Sequence, residues 1–284
     1  MGNRYFNFRE NTCSDSIETI FPDWAPGQER VAVFGPHDDD PLIGAGYAMA
    51  AAMDAGAEVF VVIFCRGNYG YTKNGQRDTI EGIRRRETLA AYEKFGIPAD
   101  HVLRFEYPDF GAANYIGYQL INGETGSLPR IIELVRARKI TRVLIPNGYR
   151  EHSDHTAVFN MAAYDVIQAG DPIVSDLGPA HVVKNLLQYS VWSDFSPEDM
   201  LVAGAEKQGL RANRAMVCPQ SVETRVQEAI LEFSSQLETI GDLLASRKAR
   251  FTGDGCIELY IAFDPRPKLN FGPYIRRINE LSKT

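Results

Sequence analysis

The run from His37 to Asp40 places one imidazole and three carboxylates directly after an apolar segment of strand type. That segment, Val31 to Phe34, is β-branched and aromatic, which is typical of a buried strand. Pro41 and the alanine-rich segment behind it indicate the start of a helix. The acidic run therefore lies in a strand-to-helix turn, and in open α/β sheets such turns at the carboxyl ends of strands bind ligands.

A second cluster, Glu151 to His155, follows another strand-like segment, Arg142 to Pro146. We expect both clusters at the same edge of the predicted sheet, because each comes directly after a strand. Of the five histidines in the chain, three fall in these two clusters. Scattered surface histidines would not be distributed in this way.

The residue types in the two clusters suit a catalytic metal centre. Taken as ligands, His37, Asp40 and His155 leave one tetrahedral position for water, which is the arrangement of a catalytic zinc ion. Nitrogen and oxygen donors also accept iron, cobalt or manganese, so the sequence leaves the identity of the metal open.

The remaining side chains of the clusters supply the other groups that hydrolysis needs. Asp39 is free to act as general base towards the water and later as the acid that protonates the leaving amine. We expect His152 to stabilise the oxyanion of a tetrahedral intermediate, with Asp154 holding its tautomer and keeping it protonated. The competing interpretation is that the aspartates only cap two helices, as aspartates often do.

Composition limits the partners and the location of the protein. A net charge of -7 over 284 residues, with no long basic block, argues against nucleic acid or an anionic membrane as the main partner. The four cysteines are far apart, and no secretory leader pattern precedes them, so we expect a cytoplasmic protein with reduced thiols. No apolar run approaches the length of about 18 residues that suggests a membrane span. Cys65 ends a strand near the predicted site, but we interpret it as a buried apolar residue rather than a ligand.

The alternation of strand-like and helical segments predicts an α/β fold with one domain and C-terminal additions. We interpret residues 1–30 as an N-terminal arm, 31–195 as the core and 196–284 as an extension packed on the core. Residues 222–244 have the pattern of one long amphipathic helix, whereas much of 194–221 has no clear period.

Two other motifs have alternative interpretations. The pair Gly44 and Gly46 resembles part of a dinucleotide fingerprint, but Met49 occupies the third glycine position and no carboxylate ends the second strand. Close helix packing explains these glycines better. Arg84 and Glu87 share a helix face, and from spacing alone we interpret them as a surface ion pair.

Together these motifs resemble the zinc-dependent N-acetylglucosaminyl deacetylases of the PIG-L or LmbE-like family. The first cluster is similar to that family's His-Pro-Asp-Asp-Glu motif, and residues 152–155 are similar to its His-Pro-Asp-His motif. An Arg-x-x-Glu at residues 84–87 and a Pro-Asp at residues 108–109 agree as well. The likeness spans roughly residues 30–195, with a fainter likeness at residues 233–236.

The resemblance implies a Rossmann-like fold, in which a mostly parallel sheet is flanked by helices. It also implies zinc on the three ligands named above, Asp39 as base and acid, and an oxyanion partner at His152 oriented by Asp154. Three further positions match substrate contacts of the family: Arg84, Asp109 and, more weakly, Tyr149.

The expected activity is hydrolysis of the N-acetyl group of an N-acetylglucosamine-type sugar or conjugate. Asp38, Pro41 and Ser153 depart from the family motifs, and the extra carboxylate of Asp38 would change the electrostatics of the site. An amidase that acts on a thiol-sugar conjugate and a non-catalytic sugar-binding protein are the alternatives. The partner is then a small-molecule amino sugar, and residues 196–284 provide specificity or a homo-oligomer contact.

Overall fold

A computed structural model gives the fold and describes residues 2–203, 209–264 and 266–283. Within these residues, nine strands form one sheet with helices packed on it. The strands are β1 (Arg4–Asn7), β2 (Thr12–Ser14), β3 (Arg30–Gly35), β4 (Glu58–Cys65), β5 (Val102–Tyr107), β6 (Arg142–Pro146), β7 (Asn185–Tyr189), β8 (Arg214–Cys218) and β9 (Cys256–Phe263). The α-helices are α1 (Asp40–Asp54), α2 (Ile80–Phe95), α3 (Ser127–Arg138), α4 (Ser153–Gln168), α5 (Pro197–Ala203), α6 (Gln220–Ile230), α7 (Leu237–Ser246) and α8 (Gly272–Leu281).

The sheet is mixed, and its strand order is β2-β1-β8-β9-β7-β6-β3-β4-β5. Strands β7, β6, β3, β4 and β5 pair in parallel. Strands β9, β8, β1 and β2 extend the sheet beyond β7 by antiparallel pairing. The expected mostly parallel, Rossmann-like sheet therefore corresponds to one half of the observed sheet. The pattern of a single strand does not encode the direction of its partner, which is why the antiparallel half was not predicted.

Strand β3 is buried on both faces, and its side chains alternate between two apolar clusters. Val31 and Val33 pack into the cluster that contains buried residues of α1, α2 and α6. Ala32 and Phe34 pack into the cluster that contains buried residues of α3 and α4. The result is a central sheet between two helical layers, with the strand ends open at its edges.

The long helix predicted over residues 222–244 is broken in the structure into α6 and α7. At the break, the Ser234 hydroxyl and the Ser235 amide both donate to Glu87 Oε1 of α2, each at 2.8 Å. These bonds fix residues 234–236 as a separate turn, which apolar periodicity alone does not reveal. Among the described residues, no helix combines the length and apolar character that a membrane span requires.

Candidate active site

Two strand-to-helix turns build the site at the carboxyl ends of β3 and β6. The two strands are parallel neighbours in the sheet, so the turn before α1 and the turn before α4 lie side by side. Gly35 allows the first turn to close, because a Cβ there would lie 2.6 Å from the ring of Pro41. His37 and Asp40 come from the first turn and His155 from the second.

The three predicted metal ligands lie together. Asp40 Oδ2 is 3.2 Å from His37 Nδ1 and 3.1 Å from His155 Nε2. The possible ligand atoms of the three residues all lie within 4.8 Å of one another. His155 Nε2 is buried and has no hydrogen-bond partner. A buried nitrogen without a partner beside a carboxylate and a second imidazole fits a metal ligand, and this donor set suits zinc.

The charges of this cluster reinforce that fit. Burial opposes a charge on His155, but Asp40 outweighs it and raises the pKa of the imidazole to about 9. Burial likewise opposes a charge on Asp40, yet His155 and His37 hold the pKa of that carboxyl well below its ordinary value. The carboxylate thus stabilises positive charge on its neighbours, and metal binding would displace those protons.

Asp39 lines the cavity in front of the cluster and is a separate group from Asp40. Its Oδ1 is 3.4 Å from Arg84 Nη2. Burial raises the pKa of Asp39, although the Arg84 guanidinium opposes the shift. A buried carboxyl with a raised pKa is suited to accepting a proton and releasing it again.

Asp38 lies beside the cluster, as the sequence indicated, and its charge adds to the effect of burial in raising the pKa of Asp39. Its side chain is fully buried and accepts hydrogen bonds from Arg84, Thr88 and Arg104. Burial alone would raise the pKa of Asp38, but Arg84 and Arg104 lower it. Asp38 therefore anchors two arginines behind the site.

The interpretation of Arg84 and Glu87 as a surface ion pair is wrong. Both side chains are buried. Arg84 Nε donates to Asp38 Oδ2 at 3.2 Å, while its Nη1 is buried without a hydrogen-bond partner. Glu87 instead binds Ser234 and Ser235 of the C-terminal part of the chain.

His152 and Asp154 are in contact, with 3.5 Å between His152 Nδ1 and Asp154 Oδ2, and each makes further contacts that the sequence did not reveal. His152 Nδ1 accepts the Asp154 backbone amide at 3.2 Å, as the cap of α4. The Asp154 carboxylate accepts the amides of Phe110 and Ala112 at 2.6 and 3.2 Å. Burial and the nearby His37 lower the pKa of His152. The neutral ring therefore carries its proton on Nε2.

A cavity of about 500 Å³ opens in front of these groups. Arg84 and Asp109 line it, whereas Tyr149 is not among its lining residues. Asp109 accepts the amides of Gly67 and Tyr69 at 2.8 and 2.9 Å, so its carboxylate shapes the loop after β4. Cys65 is buried at the end of β4, and burial raises the pKa of its thiol well above the ordinary value, as expected for a residue that is not a ligand.

Sequence reasoning missed several lining residues. Aromatic side chains of three loops contribute to the cavity, and α7 with the turn before it closes one wall. Tyr69 and Tyr71 of the loop after β4 line the cavity. The missed lining residues include Phe110, Trp192, Gln236, Thr239 and Ile240. Gln236 Nε2 donates to the Gly70 carbonyl at 2.6 Å, which ties this wall to the loop after β4. The faint family likeness at residues 233–236 was the one signal for this wall.

Comparison with solved structures finds the same fold at low sequence identity. The conserved protein TT1542 from Thermus thermophilus is 20% identical, with a TM-score of 0.62 over 85% of this chain and 97% of that chain. The N,N'-diacetylchitobiose deacetylase from Pyrococcus horikoshii is 19% identical, with a TM-score of 0.61 over 84% of each chain. GalB, the 4-carboxy-2-hydroxymuconate hydratase from Pseudomonas putida, is 19% identical, with a TM-score of 0.59 over 86% of this chain and 99% of that chain.

These identities establish the fold alone, and the second and third proteins show that it supports different reactions. A comparison with curated protein sequences finds no match. The family model of PIG-L, described as GlcNAc-PI de-N-acetylase, matches residues 32–165. This segment contains both histidine clusters and thus the whole set of candidate ligands. Residues 32–165 of the chain belong to the PIG-L family.

Proposed function

We propose that the protein is a zinc-dependent hydrolase that removes the N-acetyl group from an N-acetylglucosamine-type sugar or sugar conjugate. The observation that carries the proposal is the buried, unpartnered Nε2 of His155 beside Asp40 and His37. His37 and Asp40 line the cavity, and the independent carboxyl of Asp39 lines it too. The match of residues 32–165 to a de-N-acetylase family supports the type of bond that is cleaved.

The residues of this chain have distinct tasks in the proposed reaction. A divalent metal held by His37, Asp40 and His155 would polarise the amide carbonyl and increase the acidity of water. Asp39 takes a proton from the attacking water while the water oxygen forms a bond to the carbonyl carbon of the amide. It returns that proton to the nitrogen as the carbon–nitrogen bond breaks, so acetate and a free amine leave.

His152 is assigned to the developing oxyanion. Because its Nδ1 accepts the amide of Asp154, its Nε2 carries a proton that can be donated to that oxygen. Asp154 acts through position, since its carboxylate holds the loop amides of Phe110 and Ala112. The 3.5 Å distance between His152 Nδ1 and Asp154 Oδ2 supports the direct effect of Asp154 on His152 that the sequence suggested.

The cavity supports a sugar substrate. Arg84 lines the cavity, and its Nη1 is buried without a hydrogen-bond partner among the described residues. Tyr69, Tyr71 and Trp192 present aromatic groups on which the apolar face of a sugar ring can pack. We propose Arg84 and Asp109 as substrate-side residues, Arg84 by direct contact and Asp109 by shaping the loop. Tyr149 remains the weakest of the three assignments.

The test is release of acetate from a panel of N-acetylated amino sugars, their disaccharides and their thiol conjugates, with zinc-loaded protein. Acetate should appear with at least one N-acetylglucosamine derivative and disappear in His155→Ala. Amine release from the thiol conjugates alone would favour the amidase. Sugar binding without any release, in protein with stoichiometric zinc, would contradict the hydrolase and favour a binding protein.

We also propose that the protein acts in the cytoplasm. Its four cysteines, Cys13, Cys65, Cys218 and Cys256, are all free thiols in the structure, as is usual in a reducing compartment.

A further inference from the structure

Glu151 immediately precedes the second histidine cluster and has no role in the reaction described above. Its side chain is fully buried, and its Oε2 lies 2.6 Å from His155 Nδ1. The two residues are four positions apart: Glu151 precedes His152, the N-cap of α4, and His155 lies in the first turn of that helix.

The other carboxylate oxygen is held by one short loop. Glu151 Oε1 accepts the amides of Val191, Trp192 and Ser193 at 2.9, 2.9 and 3.2 Å. It also lies 2.9 Å from the Ser190 hydroxyl, which contacts the Ser193 carbonyl oxygen as well. We call residues 190–193, which follow β7, the cradle loop. The three amides restrain the carboxylate in the orientation that faces His155.

Glu151 favours one tautomer of His155 when the imidazole is neutral, as it is in a metal-bound histidine. A proton on Nδ1 that is donated to Glu151 leaves the lone pair on Nε2, the buried atom without a hydrogen-bond partner. That atom lies 3.1 Å from Asp40 Oδ2, on the side of the candidate ligands. Metal-bound histidines usually donate their second ring nitrogen to a carboxylate or carbonyl, which fixes the ring and makes it a better ligand.

The cradle loop also reaches the cavity and the first ligand turn. Trp192 lines the cavity, although its amide donates to Glu151. Gly44 of α1 approaches the loop closely, because a Cβ there would lie 2.7 Å from the Ser190 carbonyl oxygen. The packing expected for this glycine pair thus places the loop firmly against the helix that begins with Asp40.

We propose that Glu151 is a positioning residue that orients His155 for the metal and couples this ligand to the cradle loop at the rim of the cavity. The proposal rests on the proposed metal centre and extends it to a second carboxylate. A ligand that moves Trp192 would act on His155 through two consecutive contacts, the Trp192 amide to Glu151 and Glu151 to the imidazole.

The test compares zinc affinity, measured on metal-free protein by competition with a chromophoric chelator. Glu151→Gln should bind zinc about 10- to 100-fold more weakly than the wild type, the usual effect of losing such a partner. Glu87→Gln is the matched control, because Glu87 is also buried and also accepts serine hydroxyl and amide donors, while its hydrogen bonds go to Ser234 and Ser235 and not to a candidate ligand. Its zinc affinity should equal that of the wild type.

A second readout follows the coupling itself. Hydrogen exchange of the amides of Val191, Trp192 and Ser193 should slow when zinc binds the wild type, and zinc should have no such effect in Glu151→Gln. Ser190→Ala removes one donor without changing Glu151 and should lower zinc affinity to a smaller extent. This variant carries the test if Glu151→Gln does not fold.

The outcomes separate the two proposals. Wild-type protein that binds no zinc would contradict the metal centre itself. Tight zinc binding in the wild type, its loss in His155→Ala and an unchanged affinity in folded Glu151→Gln would overturn the positioning role alone. If Glu151→Gln does not fold, Ser190→Ala is used instead. In that case an unchanged zinc affinity, together with hydrogen exchange of the cradle-loop amides that does not depend on zinc, would also overturn the positioning role of Glu151.

Discussion

Strands β3 and β6 carry buried charges at both ends, and the two ends are organised differently. At the amino ends, Glu29 accepts Arg142 Nε and Nη2, each at 3.1 Å, and Lys184 Nζ at 3.0 Å. The Arg142 guanidinium also lies over the rings of Phe21 and Trp24, which cover its remaining Nη1. Two cations neutralise the Glu29 carboxylate and two aromatic rings pack on Arg142, so we interpret this cluster as purely structural.

At the carboxyl ends, carboxylates outnumber the cations in the part of the chain that the structure describes. The arginines that contact this group there are Arg84 and Arg104. The carboxylates are Asp38, Asp39, Asp40, Glu151 and Asp154, with histidines among them. Although burial opposes it, the nearby carboxylates raise the pKa values of His37 and His155, so protonated imidazoles balance the charge in the metal-free protein. A bound metal cation would replace those protons. The cluster at the amino ends of the strands is therefore a structural ion pair, whereas we propose the cluster at the carboxyl ends as a metal site.

The largest effect should come from removing the proposed base. Asp39→Asn should lower the rate of acetate release by about 10²- to 10⁴-fold, because the attacking water loses its proton acceptor. Zinc affinity should stay within a few-fold of the wild type, since we propose Asp40 and not Asp39 as the ligand. Rates and zinc content measured on the same samples check this. Loss of zinc together with loss of rate would show that Asp39 belongs to the metal site.

Breaking the structural cluster should affect stability and not chemistry. Glu29→Gln should destabilise the fold by about 3 to 5 kcal/mol at pH 7, because Arg142 is left buried without its counter-charge. Zinc affinity of the folded variant should not change. Denaturant unfolding with and without zinc measures both. A large fall in zinc affinity would mean that the two ends are not independent.

The same variant has a defined pH dependence. Although burial opposes its charge, hydrogen bonds from Arg142, Thr141 and Lys184 lower the pKa of Glu29 from 4.5 to about 2. Because the pKa of Glu29 is lower in the folded state, its carboxylate stabilises the fold at every pH above its ordinary pKa of 4.5. This contribution declines as the pH falls from 4.5 towards 2. The stability difference between wild type and Glu29→Gln should therefore be constant above about pH 5.5 and shrink below pH 4.5. A difference that grows on acidification would contradict the assignment.

Zinc should stabilise the wild type through the carboxyl-end cluster. At about one hundred times its dissociation constant, a ligand that binds only the folded state adds about 2.7 kcal/mol to the free energy of unfolding. His155→Ala should lose this gain, while Glu29→Gln should keep it despite its lower starting stability. Thermal unfolding with and without zinc compares the three proteins. An equal gain in His155→Ala would place the binding site elsewhere.

The smallest effect should come from the wall of the cavity. Gln236→Ala removes the bond to the Gly70 carbonyl, and a typical hydrogen bond contributes about 1 kcal/mol. We expect KM to rise about fivefold with kcat and zinc content little changed. Steady-state kinetics with the best substrate of the panel measures this. A fall in kcat alone would assign Gln236 to the chemical step.

The features that could be predicted from the sequence are those that depend on residues close together in the chain. His37, Asp40 and His155 were found because strand ends and helix starts are local patterns, and residue type restricts the chemistry. The cradle-loop partners of Glu151 and the serine partners of Glu87 could not be found, because these segments begin 39 and 147 residues further along the chain. The local spacing of Arg84 and Glu87 was misleading for the same reason, since each binds a distant segment. Contacts between segments that are distant in sequence depend on how the strands pair across the sheet. The same long-range pairing determines that the sheet has a parallel and an antiparallel half.

The most direct test of the metal centre is a calorimetric titration of metal-free protein with zinc, compared with His155→Ala and Asp40→Asn. Both variants should remain folded by circular dichroism. The account predicts one zinc ion per wild-type chain, released by a chelator, and no tight site in either variant. Equally tight, stoichiometric binding in both folded variants, or none in the wild type, would contradict it.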